Sequence, residues 1–237
     1  MRVLMSTLIA LAITSTPCFA QEPEWQPTKV EDGVQLFAKK EVDEGKTPLK
    51  TFKGVVKVKA SMKQVLALVL VRETFSNWVY NMLEDRTLAE DNTDQSYCYM
   101  VIKGQWPTSD RDTVARVTVK QDPKSLDVTV FADSRGVDQK RVPEQEGRVR
   151  MTNMYSGFTV KPISANETIV ELEGFADPAG SIPPFLTNKV ASTLPAKTLS
   201  ALKAKVESGQ FDVKALETVP FAQISMKKIV LPQQTTP

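Results

Sequence analysis

From Arg86 to Ala176 the chain is a succession of short stretches in which apolar and polar residues alternate, and from Pro183 to Ser208 it runs on with almost no helix breaker. The stretches are Arg86 to Ala89, Ser96 to Lys103, Thr113 to Lys120, Leu126 to Ala132, Arg148 to Val160 and Thr168 to Ala176. Alternation with a period of two predicts strands buried on one face, and clusters such as Asp122-Pro-Lys-Ser125 and Ser164-Ala-Asn166 supply the turns between them. Upstream, Val34 to Phe37 and Phe52 to Lys59 read as two further strands. Ser61 then caps a helix carrying Met62, Val65, Leu66, Val69 and Leu70, and a second short helix is predicted to carry Phe75, Trp78, Val79 and Met82. Neighbouring strands joined by short turns make an antiparallel sheet. A twisted sheet of that size curls, and one long helix can close its concave face. The expected fold class is therefore α+β, a curved antiparallel sheet wrapped around a long C-terminal helix, with Pro195 marking a kink or break in that helix.

The first twenty residues read as a segment that is removed. Arg2 is the only charge before Glu22, Leu4 to Ile13 is apolar apart from Ser6 and Thr7, and small residues precede a cut after Ala20. That order predicts a secretory signal peptide, and the apolar run is too short for a spanning helix. The protein is expected in the periplasm or outside the cell. Residues 21–32, rich in Pro and Glu, read as a leader, 33–208 as one domain and 209–237 as a C-terminal extension. In that extension Phe211, Val213, Leu216, Val219, Phe221, Ile224, Met226 and Ile229 to Leu231 are too apolar for a free tail and predict docking on the domain.

Composition narrows the chemistry. The chain has no His, which removes the commonest general base and metal ligand. No Ser/His or Cys/His pair, metal-ligand cluster or Gly-rich phosphate loop stands in it, so no cofactor and no metal are expected. Basic and acidic residues are nearly balanced, 30 against 28, which gives no field for recruiting nucleic acid. Cys98 is the single cysteine beyond the cut and shares a strand face with Met100 and Ile102, which predicts a buried, inert thiol.

Two turn modules carry more. Trp106-Pro107-Thr108-Ser109-Asp110-Arg111-Asp112 leads into one predicted strand. Asp177-Pro178-Ala179-Gly180-Ser181-Ile182-Pro183 leads into the last helix, continued by Leu186, Asn188 and Leu194-Pro195. Together with Gly147 to Phe158 they resemble the START family of steroidogenic acute regulatory protein-related lipid-transfer domains, over most of the chain from Val34 to Ser208. Where the family commonly has a Gly-Trp pair this sequence has Ser156-Gly157-Phe158. By their own chemistry, Asp110, Arg111 and Asp112 can satisfy one another and the turn's free amides, and Gly180 suits a turn conformation that other residues avoid. Trp106, Asp110, Arg111, Asp112, Asp177 and Gly180 are thus expected to be structural.

Alternation sorts the strand residues into faces: Cys98, Met100 and Ile102; Ala115, Val117 and Val119; Val128 and Val130; Val149, Met151, Asn153 and Tyr155; Val170 and Leu172. On the helix Ile182, Leu186, Val190 and Leu194 recur every four residues. The pattern alone does not separate a filled core from the wall of a tunnel. The resemblance implies a helix-grip fold whose inner face lines a ligand tunnel, with Met100, Ile102, Val117, Val130, Met151, Asn153, Tyr155, Leu186, Val190 and Leu194 as lining residues. It also implies that the polar segment Ser134 to Glu146 stands where the family has a mobile loop over the tunnel mouth. The expected partner is a lipid, sterol or other hydrophobic small molecule, bound and conceivably transferred by a monomer in transient contact with a membrane. Two other readings stay open: an enzyme of the wider helix-grip superfamily acting on a hydrophobic substrate, and a structural or chaperone-like envelope module.

Overall fold

The computed structural model describes residues 24–40, 49–90 and 95–232; the predicted signal peptide lies outside them. Ten strands form one sheet: β1 (Gln26–Glu31), β2 (Val34–Lys40), β3 (Lys50–Val58), β4 (Met82–Glu90), β5 (Gln95–Ile102), β6 (Asp110–Gln121), β7 (Val128–Asp133), β8 (Arg148–Arg150), β9 (Met154–Ser164) and β10 (Glu167–Ala176). Their order across the sheet is β1-β2-β3-β10-β9-β7-β6-β5-β4, every neighbour antiparallel. Only the three-residue β8 departs, pairing parallel with the start of β6. The early hairpin β2–β3 is thus joined to the late strand β10, and the predicted curved antiparallel sheet is present.

The helices lie where their sequences demand burial. In α1 (Met62–Val69), Ser61 and Gln64 form a reciprocal capping box, which satisfies donors that the first turn leaves open. Its residues from Val65 onward are buried all round, so α1 needs cover on every side. A single 3-10 turn, Arg72–Asn77, follows in place of the predicted second helix, and Met82 opens β4 instead. The long α2 (Pro184–Ser208) starts at a proline, whose missing N–H costs nothing in a first turn, and ends on Gly209 at φ 71°. Of the kink or break expected at Pro195, the break does not occur, and the helix runs on through it. Packing explains this: Pro195 and Leu199 press on β3 at Gly54, where a Cβ would lie 2.8 Å from Leu199 Cδ1 and 2.9 Å from Pro195 Cβ.

Three further segments differ from expectation. Within 21–32, read as a leader, residues 26–31 form the edge strand β1 and pair with β2. The predicted strand Arg148 to Val160 is broken at 151–153 into β8 and β9. Ser134 to Glu146 folds onto the convex face, where Val137 and Val142 pack with Tyr99, Val101, Val114 and Leu88 in a small second core. There the Gln139 side chain takes the place of a strand: its Oε1 accepts from the Val114 N–H at 2.9 Å and its Nε2 donates to the Val114 carbonyl at 2.8 Å. This segment is a covering loop on the back of the sheet, not a gate at a tunnel mouth.

The extension folds as predicted. After Gly209 come α3 (Ala215–Thr218) and α4 (Pro220–Met226), and Leu216, Phe221 and Ala222 are buried in the same core as α1, α2 and the concave face.

Candidate functional site: the concave face and its helix

The concave face is built from the inward residues of six strands: Val56 and Val58 of β3, Val170 and Leu172 of β10, Phe158 and Val160 of β9, Val128 and Val130 of β7, Val117 and Val119 of β6, and Cys98 and Met100 of β5. Over its middle the 3-10 turn delivers Phe75, and Trp78 follows. The two rings meet edge-on at 5.1 Å, and both lie over Phe158, at 6.2 and 5.8 Å. Edge-to-face packing of this kind adds to the burial of the rings themselves. In the conformation described, these aromatic side chains cover the middle of the concave face.

One charged pair is set into this apolar interior. Arg72 donates from Nη2 to Asp85 Oδ2 at 2.5 Å and from Nε to Oδ1 at 3.2 Å, with both side chains almost wholly buried. The same guanidinium reaches Cys98 Sγ at 3.3 Å and stands 5.0 Å from the Phe75 ring centre. Burial pushes the Cys98 thiol up to about 12, so it is neutral and unreactive at physiological pH. Beside it, Ser96 Oγ is buried with no hydrogen-bond partner among the described residues.

The sequence-predicted lining residues fall into three groups. Met100, Val117 and Val130 are buried on the concave face, and Leu194 packs against it from α2. Ile102 is half-buried at the end of β5, opposite Met82 and Arg111. Met151 is buried at the break between β8 and β9, where its N–H donates to the Asp112 carbonyl and its own carbonyl accepts from Thr113 Oγ1. Asn153 is half-buried, and its carbonyl accepts from the Asp177 N–H. Tyr155 lies on the opposite, convex face, because the break at 151–153 reverses the alternation. It stacks between Phe131 and Phe175, 5.7 Å from each, and its hydroxyl meets Thr51 Oγ1 at 2.9 Å. Leu186 and Val190 are 42 and 37 % exposed. By helical spacing they lie on the side of α2 opposite Pro195 and Leu199, so they face solvent rather than the interior. Phe75, Trp78, Phe158 and Arg72 were missing from the predicted set. The aromatic weight of Phe75 and Trp78 was visible in the sequence; their place over Phe158 was not.

Of the six residues expected to be structural, five hold the two turn modules, although Asp110, Arg111 and Asp112 do not pair among themselves as expected; the sixth, Trp106, projects into solvent instead. Asp110 Oδ1 accepts from the Gly104 N–H at 2.8 Å. Arg111 donates from Nε to the Pro178 carbonyl at 3.2 Å and from Nη1 to the Ser109 carbonyl, which fastens the base of the first module to the second. Asp112 is held by Arg150 through two bonds, 2.8 and 3.0 Å, and by the Tyr99 hydroxyl at 2.7 Å. Burial raises the Asp112 carboxyl, but the bonds from Arg150 and Tyr99 outweigh it, and the group stays below the usual carboxylate range. Asp177 Oδ1 accepts from the Ala179 N–H at 3.0 Å, and Gly180 takes φ 71°.

The fastening places both modules at one end of the sheet, where β6 begins. Trp106 there is 93 % exposed and Phe185, at the start of α2, 69 %. A cleft of about 200 Å³ between α2 and the N-terminal strands is lined by Leu36, Phe37, Phe52, Ser192 and Pro195 among others, and none of the predicted lining residues borders it. No helix of the described residues is long and apolar enough to cross a membrane, and no three His, Cys, Asp or Glu among them come together as a metal site would require.

The fold is shared with other proteins. The chain matches 98 % of an uncharacterized Pseudomonas aeruginosa protein at 28 % identity over 205 residues, 86 % of its own length. In structure it is similar to a STAR-related lipid transfer protein fragment from Xanthomonas axonopodis, with a TM-score of 0.66 and 27 % identity over 77 % of this chain and 98 % of that one. It also has the fold of human STARD10, at a TM-score of 0.71 and 18 % identity, covering 89 % of this chain and 85 % of that one. The START domain model matches residues 18–208, which span the concave face, both turn modules and the whole of α2, and the chain belongs to the START domain family.

Proposed function

We propose that this protein binds a hydrophobic small molecule, a lipid or sterol-like ligand, between the concave face and α2, and that it does so without catalysis. The observation that carries the reading is the contrast within α2. Its second half is locked into the core by Pro195, Ala196, Leu199, Leu202 and Val206, whereas its first half holds Phe185, Leu186 and Val190 out in solvent. Large apolar side chains are seldom left exposed together without a use. An apolar ligand enters by displacing Phe75 and Trp78 from Phe158, and each methylene it buries contributes about 0.8 kcal/mol. The START family match and the lipid-transfer relative from Xanthomonas support the same reading. The polar groups inside support binding over chemistry, because Arg72 and Asp85 are spent on each other.

Trp106 and Phe185 would meet the membrane. They project from the end at which the two modules are fastened, and an indole suits the water–lipid interface. The protein would work as a monomer in the periplasm or outside the cell, after cleavage near Ala20. Native mass spectrometry of protein purified from its own compartment is expected to show a copurified lipid. Trp106→Ala is expected to slow extraction of a fluorescent lipid from phosphatidylcholine vesicles while leaving the melting temperature within about a degree, because the exposed side chain holds nothing in the fold. Protein that never carries lipid, and an alanine variant that extracts at the wild-type rate, would overturn these claims in turn.

A further inference from the structure

We infer that the segment from Gln210 to Leu231 is the floor of the ligand site and sets the length of apolar chain it accepts. The inference rests on the lipid-binding reading above and adds a closed end to it. The START match stops at residue 208, so this segment lies beyond the part of the chain that matches the family model. Its course is fixed at both ends. At the α2 end, Glu207 Oε1 accepts from the Lys59 N–H at 2.9 Å, which holds the helix terminus beside the end of β3. At the other, the Gln121 side chain grips Val230, donating to its carbonyl at 2.9 Å and accepting from its N–H at 2.8 Å. In the sheet β3 and β6 are four steps apart, through β10, β9 and β7. At roughly 4.8 Å per step the segment therefore crosses about 19 Å along one end of the sheet.

That end is the far one. β6 runs from Asp110, beside the Trp106 module, to Gln121, beside Val230. Its length of 12 residues at about 3.3 Å each separates the two ends by roughly 40 Å. Most of what the segment presents to the interior is apolar: Leu216, Phe221 and Ala222 are buried in one cluster with α1 and the concave face, and Ser225 is buried beside them. A hydrocarbon tail entering beside Trp106 and Phe185 thus ends against Leu216 and Phe221, and the polar end of the molecule stays at the entrance.

The test uses the full chain and a ladder of saturated fatty acids from arachidic upward to chains long enough to span that separation, mixed in equal amounts and read by native mass spectrometry. Wild type is expected to show a preferred length. Leu216→Ala lowers the floor and is expected to move the preference toward longer acids. Each added methylene is favoured about fourfold, the equivalent of ~0.8 kcal/mol, until the new space is filled. Phe221→Leu, a gentler change, should move it in the same direction by less and carries the test if the alanine variant does not fold. A preferred length unchanged in a folded variant overturns the floor while leaving lipid binding intact. A wild type that takes no acid of any length overturns both.

Discussion

Arg72 and Asp85 are the residues whose replacement should be felt most. A buried ion pair is costly to assemble, but breaking it is worse, because the survivor is left charged and unpaired. Arg72→Met is expected to cost about 3–5 kcal/mol, whereas Arg72→Met with Asp85→Leu should recover most of that loss; urea denaturation of the two singles and the double measures the coupling. Asp112 makes a prediction in pH. Its carboxyl lies lower folded than unfolded, so its contribution is present above the ordinary value near 4 and is lost as pH falls through the lowered folded value. Asp112→Asn should melt well below wild type at pH 7, and the gap should close in strong acid. Neither pair was legible in the sequence. Arg72 and Asp85 are joined only because the 3-10 turn folds back over β4, and Arg150 meets Asp112 because the short β8 pairs parallel with the start of β6. The break at 151–153 explains Tyr155. Met151-Thr-Asn153 contains no Gly or Pro to announce an interruption, and a slip of one residue turns every later side chain to the other face.

At the level of elements the sequence was more informative. Apart from the broken Arg148 to Val160, the predicted strands, the capped α1 and the whole of α2 stand close to where the sequence put them, because the strands bury one apolar face, α1 is apolar on every side from Val65 onward and α2 has no breaker that stops it. What periodicity did not settle is which side of α2 faces inward. Ile182 lies before the helix begins, and residues four apart fall about 40° further round a helix at each step, so a line through Leu186, Val190 and Leu194 winds about 80° around it. The seat of α2 is fixed instead by Gly54, which nothing in the strand pattern marked out. Gly54→Val should drive Leu199 and Pro195 off β3 and cost about 1–3 kcal/mol as overpacking, or more if the helix cannot shift. Loss of protease protection near Pro195 would distinguish displacement of α2 from general unfolding, and a variant as stable and protected as wild type would disprove the seating role.

For the molecule as a whole, composition and element order yielded the fold class, and the turn modules yielded the family. The role of the extension did not follow from either, because its contacts join segments far apart in the chain. The pairing of β3 with β10 has a consequence of the same kind in time. β3 is among the first strands to leave the ribosome, and its partner leaves more than a hundred residues later. No early hairpin can close the grip, and the apolar edge of β3 waits for nearly the whole chain. Contacts so distant in sequence make folding slow. The unfinished chain is open to chaperones and to aggregation throughout that interval.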